Sequence, residues 1–203
     1  MKRPASPFFI HAVPKVRAIA SPVRAAILDA IDGLGPATIL QIAEVVAYPP
    51  DGLYYHLKVL EKNGLVIRIE PEPDTGAARF DLPGHPATLR YHLEDRQQRH
   101  ATAKVVATMV RSAERGFRRA FAPGVATVQG PRRNLRAGRR TAWLTARELE
   151  QLNRHLERIH ALFGRGRPRR NGARLHEFTY VLAPIVERGR RGRALTPREG
   201  VRS

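Results

Sequence analysis

The chain has 203 residues, with 36 Lys and Arg against 18 Asp and Glu, a formal net charge of +18 and a pI near 11.5. An excess of that size draws a protein to a polyanion, and nucleic acid is the first partner it implies. The balance of 42% hydrophobic and 27% charged residues is that of a folded chain; zero cysteines exclude disulfides, thiolate metal sites and cysteine nucleophiles; and no apolar run approaches the length that spans a bilayer, so no membrane partner is expected.

The opening stretch MKRPASPFFIHAVPK starts with two basic residues, but Pro and His interrupt the apolar run that a signal peptide needs. Residues 1–11 read as an N-terminal arm, and the chain reads as cytoplasmic, nucleoid-associated when bound to DNA. Ser21-Pro22 starts a helix in which Val23, Ile27, Ala30 and Ile31 share one face, and Gly33 and Gly35-Pro36 end it. In ATILQIAEVV, Ile39, Ile42, Ala43 and Val46 fall at i, i+3, i+4 and i+7, a second short helix. A third runs from about Pro50 to Lys62 and is closed by Asn63-Gly64, a pair that accepts the left-handed conformation of a C-terminal cap.

Placing Leu53 at 0° and stepping about 100° per residue brings Leu57 and Leu60 within about 40° of it, so these three form a buried stripe. Asp51, Tyr55, Lys58 and Lys62 lie on the far side. Two strand-like runs follow, Leu65 to Glu70 and Ala77 to Leu82, joined by a Pro/Asp/Gly turn. Helix, helix, turn, helix and hairpin make a winged helix-turn-helix over residues 12–87, the arrangement that sets a third helix into a major groove.

Residues 88–121 hold no Pro and one Gly, and Val106, Met109, Val110, Ala113, Phe117 and Phe121 stripe one side, which predicts a long dimerisation helix. Residues 122–140 read as a basic linker. Thr145 and Glu148 are spaced as a capping box, and Leu149, Leu152, Leu156, Ile159 and Phe163 form an apolar stripe that Gly164 ends. Thr141 to Leu144 and Leu175 to Leu182 are expected as flanking strands, so residues 141–186 read as a small strand-helix-strand layer on the long helix. Trp143, Phe163, Phe178 and Tyr180 read as its core rather than as a ligand pocket. Residues 187–203 read as a basic disordered tail; between 165 and 203 there are 11 Arg against 3 Glu, which can track phosphates without reading bases. The expected fold class is mostly α with small β.

The segments SPVRAAILDAI, IAEVV and DGLYYHLKVLEKNGLV resemble the ArsR-type winged-helix transcription regulators, in which a Ser-Pro-x-Arg helix precedes a helix-turn-helix ending in His-Leu-x-x-Leu-x-x-x-Gly-Leu-Val. The likeness spans roughly residues 12–85 and implies a homodimeric, double-stranded-DNA-binding regulator, most simply a repressor. The C-terminal layer resembles, more faintly, the part of cysteine-free relatives that supports dimerisation or ligand sensing. Without cysteine, thiolate sensing of soft metals does not carry over. His92, Glu94, Asp95 and His100 are strung over two helical turns, and Glu157 with His160 reads as a surface hydrogen bond. No metal or cofactor is expected, and any small-molecule effector is left unnamed.

Within the third helix, which Pro50 opens, Asp51, Tyr54 and Tyr55 are expected to face bases. Asp51 can accept from cytosine N4, and Tyr rings can pack on thymine methyls or donate to phosphate. Lys58 and Lys62 are expected on the phosphate backbone, with Thr38 and Gln41 from the start of the preceding helix. Arg68 and Arg79 in the wing point to the backbone or minor groove, opposed by Glu70, Glu72 and Asp74. His56, about 60° from the buried stripe, reads as a packing residue rather than a base reader. Two such helices in a dimer meet half-sites about one helical turn apart. The competing reading is a nonselective RNA- or DNA-binding basic protein, although aromatic stacking motifs of specific RNA modules are missing. Catalysis is not expected: the sequence has no Gly-rich phosphate loop, metal-ligand motif or nucleophile elbow.

Overall fold

The computed structural model describes residues 7–71, 76–163 and 173–186. In chain order the elements are β1 (Phe8–Ile10), α1 (Val13–Ile19), α2 (Pro22–Leu34), β2 (Ala37–Thr38), α3 (Ile39–Val46), α4 (Pro50–Lys62), β3 (Ile67–Ile69), β4 (Arg79–Asp81), β5 (Ala87–Leu89), α5 (Arg96–Arg119) and α6 (Ala146–Phe163).

The helical periodicity is spent on one core. Ile27 and Ile31 of α2, Ile42 of α3 and Leu53, Leu57 and Leu60 of α4 are buried together with Leu65 and Leu82. Each such side chain contributes about 2 kcal/mol by leaving water. α2 is the central strut, packed against α3, α4 and α5. α3 exits through Ala47, whose left-handed backbone (φ 53°) makes the turn, and Pro50 follows in the first turn of α4, where its missing N–H costs nothing.

The three-stranded antiparallel sheet runs β2-β4-β3, with Thr38 opposite Arg79 and Ile69 opposite Arg79 on the other side. Phe80 enters the core from its central strand. The hairpin β3–β4 is the wing, and β2 fastens it to the start of α3. Residues 72–75 at its tip, which include Glu72 and Asp74, lie outside the described residues.

Several elements differ from the sequence reading. Part of the N-terminal arm is a strand, with β1 pairing parallel to β5. Short α1, with Pro14 in its first turn and Val16 and Ile19 buried, was not expected. The long helix begins at Arg96 rather than near residue 88, because β1 draws residues 87–89 into a ladder and Asp95 caps the helix, accepting from the Gln97 N–H at 2.7 Å. α5 rests on its own domain through Gln98, Ala101 and Thr108, whose side chains are buried; Gln98 Nε2 donates to the His11 carbonyl at 2.7 Å and Thr108 Oγ1 to that of Ala20 at 3.2 Å. That face lies roughly 120° around the helix from the stripe of Val106, Met109, Val110, Ala113 and Phe117.

The expected C-terminal strands are not formed: among the described residues, 141–144 and 175–182 join no ladder. Strand pairing needs a partner in register, and among the described residues these segments pair neither with each other nor with the wing or the β1–β5 sheet. α6 forms with its capping box at Thr145 and Glu148, yet buries none of its residues. Phe163 meets Phe178, ring centroids 5.9 Å apart, and Tyr180 stacks on Phe178 at 5.6 Å, so these aromatics cluster on a half-covered surface rather than in a closed core. The expected disordered tail, 187–203, lies outside the described residues.

Candidate nucleic-acid interface

α4 divides into two faces. Leu53, Leu57 and Leu60 point into the core, while Asp51, Tyr54, Tyr55, Lys58 and Lys62 are exposed, with 59% and 67% of the two tyrosines accessible. Asp51 lies in the first turn and Lys62 in the last, so each also opposes the helix dipole with the favourable sign. Pro50 is half-buried at the entrance.

Tyr48, in the turn before α4, lies over its first turn. A Cβ on Gly52 would stand 2.5 Å from Tyr48 Cε1, so the glycine makes room for the ring. Tyr48 and Tyr55 both set their rings edge-on to His56, at 6.0 and 5.3 Å between centroids. The Nδ1 atom of His56 is buried and has no hydrogen-bond partner among the described residues. Burial, and then the positive charge of Arg24, hold this imidazole below its ordinary pKa of 6.5. His56 is thus a packing residue in an aromatic knot that fixes the turn between α3 and α4. Neither Tyr48 nor Arg24 was among the sequence candidates; Tyr48-Pro-Pro-x-Gly is the local signal of the first, a ring next to a helix start with a glycine below it, and Arg24 stood only within the Ser-Pro-x-Arg segment.

Thr38 and Gln41 are tied to one another. Thr38 Oγ1 accepts from the Gln41 N–H at 3.3 Å, and Gln41 Oε1 accepts from the Thr38 N–H at 2.9 Å, a complete capping box. The Thr38 hydroxyl and the Gln41 amide NH2 keep donors for a phosphate beyond that box. The register sets Arg79 beside Thr38, on the same face of the sheet, because directly opposed residues share a face. Arg68 pairs with Phe80 and therefore leaves from the other face, and its Nε donates to Glu70 Oε1 at 3.0 Å on the exposed surface. The sheet therefore brings Arg79 to the α3 cap and sends the two wing arginines apart.

Behind the wing, His85 is 7% exposed and sits between two carboxylates, with Nδ1 2.8 Å from Asp32 Oδ1 and Nε2 2.9 Å from Asp81 Oδ1. This bridge fastens β4 to α2.

A short helix, a turn, a second helix with an open polar face and a three-stranded wing define a winged helix-turn-helix protein. Residues 19–69 match a family model described as a helix-turn-helix domain. No curated protein matches the chain. Among solved structures it is similar to a MarR-family transcriptional regulator from Silicibacter pomeroyi (15% identity, 73% of this chain and 82% of that one, TM-score 0.32). It is also similar to Bordetella bronchiseptica BpsR (12% identity, 71% and 89%, TM-score 0.30), whose DNA binding is described as regulated by 6-hydroxynicotinic acid. A third is Lactococcus lactis ZitR (13% identity, 70% and 75%, TM-score 0.29).

Proposed function

We propose that this protein is a sequence-specific DNA-binding transcription regulator of the ArsR-like kind, a homodimer that represses by occupying its operator. The observation that carries the reading is the division of α4: an apolar face locked into the core, and an outer face of Asp51, Tyr54, Tyr55, Lys58 and Lys62 offered to solvent by a helix-turn-helix. Residues of those types supply base-edge, thymine-methyl and phosphate contacts. Arg79 beside the Thr38–Gln41 cap adds a backbone clamp next to α4, and the net charge of +18 supports encounter with a polyanion.

Homodimerisation is supported by the apolar side of α5 that its own domain leaves half-covered and by the stripe of α6 that nothing buries. The site is one for binding rather than turnover. Selection of bound sequences from random duplex DNA at near-physiological salt tests the reading: a palindromic motif with half-sites about one helical turn apart is expected. No enrichment would instead support the nonselective nucleic-acid reading.

A further inference from the structure

A groove of ≈ 670 Å³ runs along the contact between α1 and the first turns of α5. Arg17 stands on the α1 bank; Arg96, His100 and Lys104 stand on the α5 bank; Ala20 and Ala101 form the floor. Arg96, His100 and Lys104 repeat at i, i+4 and i+8, so they form one ridge about 12 Å long. Arg17 is fixed against this ridge, its Nη2 donating to Gln97 Oε1 at 3.1 Å.

No Asp or Glu occupies the i±3 or i±4 positions around Arg96, His100 or Lys104, and among the described residues none of the four groups takes part in an ion pair. Exposed arginines elsewhere on helices do find such partners, Arg118 with Glu114 and Arg154 with Glu150. Arg96 and Lys104 lie two turns apart on one face of α5, and Arg17 joins them from α1, so three basic side chains line one concavity. The nearest carboxylate, Asp95, accepts from the Gln97 and Gln98 N–H groups and so caps the helix rather than countering the ridge.

We propose that the α1–α5 groove binds a small oxyanion, a carboxylate or a phosphate group, held by Arg17 on one side and by Arg96 and Lys104 on the other. A guanidinium takes either group through paired N–H bonds, and the apolar floor leaves space for a small body attached to it. The size and concavity suit a small ligand, and the groove belongs to the α1–α5 pair while α4 packs on α2 and α3.

The site needs no DNA, so its first test contains none. Amide spectra of the full chain are followed while inorganic phosphate is added against chloride at matched ionic strength, with benzoate run in parallel. Saturable shifts at Arg17 and across 96–104 with at least one of the two anions are expected, and binding should weaken roughly tenfold in the Arg17→Gln/Lys104→Gln double variant. Shifts that stay linear, or equal ones around Arg147 and Arg158, would mean charge screening and overturn the site. The same variant should keep the parent's salt dependence in duplex-DNA binding. A slope reduced by about one or two units would assign the groove to the DNA backbone and overturn the small-anion proposal.

Discussion

On the outer face of α4, side chains of different chemistry should fail in different ways. Lys58 is an exposed ammonium with no apolar partner to lose, so Lys58→Ala should leave folding intact. It should weaken binding to every duplex alike and lower the salt slope by about one unit, the signature of one lost phosphate contact. Tyr55 offers a ring and a hydroxyl, and Tyr55→Ala should change which operator is preferred, read out by repeating the selection. Two variants that bind all DNA as the parent does would remove α4 from the interface. His56 makes a different prediction. Folding keeps its ring neutral, with a pKa below 6.5, so below that pH the unfolded chain binds the extra proton. Stability from this residue is therefore full above about pH 6.5 and falls as the pH drops. In thermal unfolding at pH 7.5 and 5.5, His56→Gln should narrow the gap between the two midpoints relative to the parent; an unchanged gap would show that the imidazole is as free to protonate folded as unfolded.

At the scale of elements, the wing owes its position to more than its ladder. β4 is the central strand of its sheet, yet it is also held from behind by His85, whose side chain and that of Asp81 are each 4% exposed. Removing the imidazole strands a buried carboxylate with the Leu82 N–H, at 2.9 Å, as its remaining donor. His85→Ala should cost about 3 kcal/mol in urea unfolding, the upper end for a buried polar group left short of a hydrogen-bond partner. A loss under about 1 kcal/mol would mean that Asp81 is solvated in the folded state. This bridge could not be read from the sequence, because Asp32 and His85 are 53 residues apart and no local pattern links them. The helices could be read, since burial repeats with the helical period: α4 runs over Pro50–Lys62, the expected span, and Leu53, Leu57 and Leu60 are its buried residues. Where a ladder depends on a distant partner, as β1 does on β5, three residues carry too little pattern to announce it. Alternation in residues 175–182 suggested a strand for the converse reason: period two describes a segment able to pair, while the pairing itself depends on a partner in register that the local pattern does not name. The division of α4 into core and outer face was therefore legible, as was the place of Thr38 and Gln41 at the start of α3, but the capping box they form and the divergence of Arg68 from Arg79 required the structure.

For the molecule as a whole, apolar surface is distributed unevenly. The core gathers residues from β1 through the start of α5, and α6 stands outside it with Leu149 41% and Phe163 48% exposed. Leu152, Leu156 and Ile159 between them are only half-covered, and symmetric use of this stripe by a second copy is the simplest way to finish covering it. Because α6 contributes nothing to the core of the winged domain, the two roles can be separated by substitution in the full chain. Leu152→Glu together with Leu156→Glu puts two carboxylates in the middle of the stripe. Sedimentation should report a dimer for the parent and a monomer for this variant, while the thermal midpoint of the winged domain stays where it was. Affinity for a palindromic operator should fall by about a hundredfold, because the second half-site is no longer reached at the effective concentration that a dimer provides, whereas affinity for a single half-site should not change. A variant that remains dimeric would place the interface on α5 alone, and one whose winged domain melts early would show that α6 packs on its own chain in solution.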